Sequence, residues 1–254
     1  MSDQESFISH LIELRTRLLH AAGAIAIVFI ALFLWPGSGY IYDILAQPLI
    51  DVMGPNAKMI ATGVITPFMV PVKVTALAAF MIALPYVLYQ AWAFVAPGLY
   101  ENEKKLAVPL IVASTVLFMC GVAFCYFFVF GKVFAFIQGF APKSISPMPD
   151  IEAYFNFVLT MFLAFGVTFE IPIVVIVLVR MGIVTIAQLK DARPYVIVGA
   201  FVVSAVVTPP DVLSQFMLAV PMCILYEAGL FLARFVGTRK EEAKEEAKEQ
   251  STAV

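Results

Sequence analysis

The chain has 254 residues, of which 62% are hydrophobic and 13% charged, and its mean hydropathy is +0.94. A soluble domain is about 45–50% apolar and about 25% charged, so a water-soluble core cannot absorb this excess and the chain reads as a polytopic membrane protein. The net charge of −2 argues against a nucleic-acid binder, and Cys120, Cys125 and Cys223, without C-x-x-C spacing, form neither a disulfide framework nor a zinc site.

Residues 1–17 read as a cytoplasmic amphipathic helix. The opening Met1-Ser-Asp-Gln-Glu-Ser6 has no positive n-region and no cleavage site follows, so no removable signal is expected. Ser2 and Glu5 fit a capping box. Phe7, Ile8, Leu11, Leu14 and Leu18 form one apolar stripe, with His10, Glu13 and Arg17 on the other side. Such a helix lies on the membrane surface before the first span turns inward.

The fold class is all-α, with a six-span membrane domain over 18–238. The spans are expected at about 18–35, 70–95, 106–130, 155–179, 195–207 and 212–233. An outer cap covers 36–69, where Tyr40, Ile41, Ile44 and Leu45 predict a short helix ended near Pro48. Gly54 and Pro55 mark a turn, and Thr66-Pro67 predicts an N-cap followed by proline at the first helical position. Prolines at 71, 85, 109, 172 and 221 each remove an N–H and bend their spans.

The last two spans are short. Pro194 and Pro209 leave the fifth only about 22 Å at 1.5 Å per residue, against a hydrocarbon core of about 30 Å. A tight outer hairpin, Thr208-Pro-Pro-Asp211, follows. The stretch 239–254 is a charged, low-complexity cytoplasmic tail.

Orientation follows from the cations. Arg15, Arg17, Lys104, Lys105, Arg180, Lys190, Arg193 and the tail lie on one side, while Lys58, Lys73, Lys132 and Lys143 alone lie on the other. The positive-inside rule puts both termini in the cytoplasm.

Enzyme motifs are missing: there is no Walker A loop, H-E-x-x-H, G-x-S-x-G or G-x-G-x-x-G. His10 and His20 have no facing ligand set. No catalytic residue, metal site or cofactor is expected.

Three carboxylates carry the functional interest. Glu13 is either a surface partner of Arg17 at i,i+4 or a binding group. Glu103, after the second span, is a solvated loop charge unless it shares the cytoplasmic rim with Glu13; Glu101 blurs its assignment. Two carboxylates on that rim suit a partner with paired arginines beside an apolar stretch, because guanidinium bonds carboxylate bidentately. Glu170 is the one charge in 155–179, and a carboxylate at that depth is a functional candidate or a structural partner for a carbonyl freed by Pro172. Asp211 fits a helix N-cap, and Glu227 is expected to pair with Arg234 or to reach water.

Five stretches together resemble the TatC family, the multispanning core of the twin-arginine, Sec-independent protein translocase. They are His10-Leu-Ile-Glu-Leu-Arg-Thr-Arg-Leu-Leu19, Phe94-Val-Ala-Pro-Gly-Leu-Tyr100 with Glu103, Phe165-Gly-Val-Thr-Phe-Glu170-Ile-Pro172, Arg193-Pro-Tyr195 and Thr208-Pro-Pro-Asp-Val-Leu-Ser-Gln215. The resemblance implies a non-enzymatic receptor and scaffold in the bacterial cytoplasmic (inner) membrane. Such a subunit binds twin-arginine signal peptides and helps export folded proteins with the proton-motive force. By motif, Glu13, Arg17, Phe94, Leu99 and Glu103 resemble the signal-peptide surface. Glu170, Thr208 and Gln215 resemble an intramembrane polar patch that docks single-span TatA- and TatB-like subunits, and Asp211 an outer-hairpin acid. Self-association and lipid contact are expected as well. The rival class is an ion-coupled solute transporter with Glu170 as coupling residue, against which stand the missing repeat and the missing second deep charge. An intramembrane hydrolase lacks a nucleophile–base pair.

Overall fold

The first helix, α1 (Asp3–Leu34), runs without a break, so the expected surface helix and first span are one rod. The structure, a computed structural model, describes residues 3–53, 59–95, 104–140, 142, 148–208 and 211–235. Among these, regular structure is helical throughout: α2 (Ser38–Met53), α3 (Thr66–Val95), α4 (Lys104–Phe124), a π-turn (Cys125–Val129), α5 (Phe130–Gly139), α6 (Ile151–Phe169), α7 (Ile171–Arg180), α8 (Ile186–Asp191), α9 (Arg193–Val207) and α10 (Val212–Ala233). Strand-like pairing among the described residues is limited to one isolated bridge between Ile60 and Asp150.

Five helical stretches are long and apolar enough to cross a membrane: Leu11–Leu34, Thr66–Ala91, Val108–Gly139, Ile151–Arg180 and Val212–Ala233. The expected fifth span is α9, whose 15 residues fall short of the about 20 that a crossing ordinarily takes. The third span is longer than the sequence suggested. It continues past Phe130 to Gly139 because Val133 and Phe134 are buried against the core, and the π-turn absorbs the change of face at Cys125.

Two prolines shape the architecture differently. Pro172 sits in the first turn of α7, and the rod of α6 and α7 is interrupted at Glu170. There Glu170 N–H donates to Val167 O at 3.0 Å, and Val174 N–H donates to Glu170 O at 3.0 Å. Pro48, by contrast, does not end α2, which runs on to Met53. A proline cannot bond the carbonyl four residues back, here that of Ile44. Tyr126 Oη donates to Ile44 O at 2.7 Å instead, and Tyr154 Oη donates to the neighbouring Leu45 O at 2.8 Å. Thr66 begins α3 rather than preceding it, and its hydroxyl turns to Glu152 Oε2 at 3.4 Å.

The main core joins α2, α3, α6 and the α4–α5 rod through Leu49, Val74, Leu84, Phe118, Phe130 and Phe162. Phe130 stacks on Phe162 with ring centroids 5.3 Å apart. A smaller cluster of Val175, Val179, Tyr226 and Leu230 joins α7 to α10. In lipid, close packing replaces the hydrophobic effect as the driving force, so small residues matter at helix contacts. Gly229 meets Pro172 backbone so closely that a Cβ there would stand 2.9 Å from its Cα.

Asp150 ties the segment before α3 to the start of α6. Its Oδ1 accepts from Glu152 N–H (2.9 Å) and Ala153 N–H (3.0 Å), capping α6, while Oδ2 accepts from Thr62 N–H (3.0 Å) and Thr62 Oγ1 (2.8 Å). The Ala153 N–H, the Thr62 hydroxyl, the Thr62 N–H and the Glu152 N–H together hold this carboxyl below its ordinary range. Lys73 pairs with Glu152 at 3.0 Å beside it.

Candidate functional site

α1 packs along α3, so Arg17, in the first half of one helix, meets Gln90, near the end of the other. Glu13 and Arg17 lie four residues apart on one face. Arg17 Nη2 donates to Glu13 Oε1 at 3.2 Å, and Arg17 Nη1 donates to Gln90 Oε1 at 3.2 Å. The Glu13 and Arg17 side chains stay 33% and 30% exposed, whereas Gln90 is 4% exposed. Phe94 is half-buried one turn beyond Gln90. The arrangement is a partly open carboxylate that already grips a guanidinium, backed by a buried amide. Leu99 and Glu103 lie outside the described residues.

Glu170 stands at the α6–α7 interruption, half-buried, with Ser114 of α4 facing its carboxyl. Ser114 is fully buried and close enough to interact with the Glu170 carboxyl, yet Ser114 Oγ and Glu170 Oε1 have no hydrogen-bond partner within 3.5 Å among the described residues. Buried polar atoms of this kind call for an explanation.

Thr208 and Gln215 turn to backbone rather than to Glu170. Thr208 Oγ1 donates to Ser204 O at 2.8 Å, and Gln215 Nε2 donates to Phe201 O at 3.2 Å, tying α10 to α9. A cavity of about 460 Å³ between α6, α9 and α10 is lined by Thr160, Leu163, Thr168, Val203, Val207 and Met222. Asp211 N-caps α10, accepting from Ser214 N–H at 2.7 Å. Glu227 pairs with Arg193 at 2.7 Å and not with Arg234, because α9 starts beside the end of α10. No group of His, Cys, Asp and Glu suited to a metal ion occurs among the described residues.

Sequence reading missed Gln90 and Ser114. Both are uncharged, so neither stands out from an apolar run as Glu170 does. An amide inside the apolar run Leu84–Val95 was the available signal for Gln90.

Comparison with known proteins gives one consistent result. A family model described as Sec-independent protein translocase protein (TatC) matches residues 9–221. The chain is 48% identical over 243 residues to the Sec-independent protein translocase protein TatC of Haemophilus influenzae, covering 96% of this chain and 94% of that one. It is 44% identical over 245 residues to the Escherichia coli K12 protein of the same name, covering 95% and 94%. A crystal structure of a twin-arginine translocase receptor, TatC, superposes with a TM-score of 0.77 at 37% identity, covering 89% of this chain and 99% of that chain. The chain belongs to the TatC family of Sec-independent protein translocases.

Proposed function

We propose that this chain is the receptor and scaffold subunit of a twin-arginine protein translocase in the bacterial inner membrane. Its termini face the cytoplasm, and α9 serves as a short sixth span. Glu13 and Glu103 receive the two arginines of a signal peptide, with Arg17, Phe94 and Leu99 forming the surrounding surface. Glu170, Thr208 and Gln215 serve single-span TatA- and TatB-like subunits, Asp211 fixes the outer hairpin, and the proton-motive force drives export. As a domain plan, 1–17 is the cytoplasmic recognition helix, 18–238 the membrane domain and 239–254 the tail.

The observation that carries the reading is the Glu13 carboxylate, which is one-third exposed and holds a guanidinium through a single oxygen at 3.2 Å. Carboxylate and guanidinium match as planar, bidentate partners, so a group that already binds one arginine suits another. Photocrosslinking from positions 13 and 103 to a signal peptide tests it. The expected result is adducts that vanish when the peptide's arginine pair is replaced by glutamines. Adducts that persist unchanged with the glutamine peptide defeat the reading.

A further inference from the structure

We propose that Gln90 is a positioning residue of the arginine-recognition site: through Arg17 it keeps the Glu13 carboxylate half-free for an incoming guanidinium. The inference rests on the receptor reading above and extends it to a residue outside the expected set.

Three observations carry it. Gln90 is 4% exposed, and a buried amide oxygen needs a donor; its donor is Arg17 Nη1, from a helix 73 positions away in sequence. Arg17 is divided between two acceptors, one neutral and one charged, at equal distances of 3.2 Å. Charge-assisted bonds usually close to about 2.7–2.9 Å, so neither contact is fully drawn in. Finally, Glu13 Oε2 accepts no hydrogen bond among the described residues, because the fork that would otherwise cover both oxygens is pulled aside toward α3.

Removal of the Gln90 acceptor releases Nη1. Arg17 then turns its whole fork onto Glu13, one helical turn away, and a visiting arginine must break a bidentate pair instead of taking an open oxygen. Gln90 touches no ligand in this scheme and acts only through Arg17.

The test uses the full chain in nanodiscs and a fluorescent peptide carrying a twin-arginine motif. Gln90→Met keeps the side chain's length and removes the acceptor; binding is expected to weaken about fivefold, the scale of one net hydrogen bond. Gln90→Glu keeps the acceptor and is expected to bind at least as tightly as the parent. In an Arg17→Gln background, Gln90→Met is expected to cause no additional loss. Unchanged binding in Gln90→Met overturns the inference, as does the same fold loss with and without Arg17, which marks a purely structural amide. If Gln90→Met does not fold, Gln90→Asn, whose oxygen is withdrawn by one methylene, is read in the same two backgrounds. Glu13→Gln run alongside separates the levels. If that variant binds as tightly as the parent, the receptor reading falls; if it weakens binding while Gln90→Met does not, only the role of Gln90 falls.

Discussion

A Cβ placed on Gly121 would stand 2.6 Å from the carbonyl oxygen of Phe165. The contact has a reciprocal on the same pair of helices, where a Cβ on Gly166 would run into the ring of Phe118. α4 and α6 therefore touch backbone to backbone at Gly121 and backbone to side chain at Gly166, with no room for a methyl group at either. Gly121→Ala is expected to push the helices apart and cost about 1–3 kcal/mol, the usual range for overpacking. Thermal unfolding in detergent, compared with Gly131→Ala where nothing lies within 4 Å, measures it. Equal midpoints for the two variants would contradict the close approach.

Pro48 and Tyr126 form a second coupled pair. Tyr126→Phe leaves Ile44 O without its donor and is expected to cost about 1 kcal/mol. Pro48→Ala restores the N–H that the helix lacks at that turn, so Tyr126→Phe should cost less in that background. A double-mutant cycle on unfolding midpoints reads the coupling; additive losses would show that the phenol does not replace the missing bond.

Asp150 gives a pH signature. Its hydrogen bonds hold the folded-state carboxyl below the ordinary value. A lowered folded pKa means that the contribution is complete above the unfolded pKa, about 3.9, and is lost as pH falls through the lower folded value. Acidification from pH 5 to below pH 4 is therefore expected to destabilise the parent more than Asp150→Asn. Parallel pH profiles of the unfolding midpoint would remove Asp150 from the account.

Glu170 separates docking from proton transfer. If its carboxyl receives a neighbouring subunit's polar group, Glu170→Gln should keep the partner in co-purification and Glu170→Ala should lose much of it. Loss of export in Glu170→Gln with the partner still bound would favour proton chemistry instead.

Much of the framework was legible in the sequence because its signals are local. Long apolar runs mark the helices long enough to cross a membrane, whereas the interruption at Glu170 replaces the single bent span expected over 155–179. The i,i+4 pairing of Glu13 with Arg17 could be read from spacing alone. The course of α2 through Pro48 could not, because its remedy comes from Tyr126, 82 positions on. The same holds for Gln90, whose meaning depends on α1 lying against α3. Glu170 stands out by its charge, while Ser114 beside it is an uncharged residue inside the expected third span whose proximity to Glu170 depends on α4 packing against α6.

Among the described residues the first helix makes its main contact along α3, and none of its most apolar window is buried, with Ile27 71% and Leu34 79% exposed. Hydrocarbon tails are as apolar as leucine, so a neighbouring transmembrane rod can take the place of lipid along this flank without a hydrophobic penalty or reward. Its choice of companion is then governed by shape and by the few polar groups near its base, Glu13 and Arg17 among them. Any change in how α1 leans on α3 is felt there first, at the Arg17–Gln90 hydrogen bond.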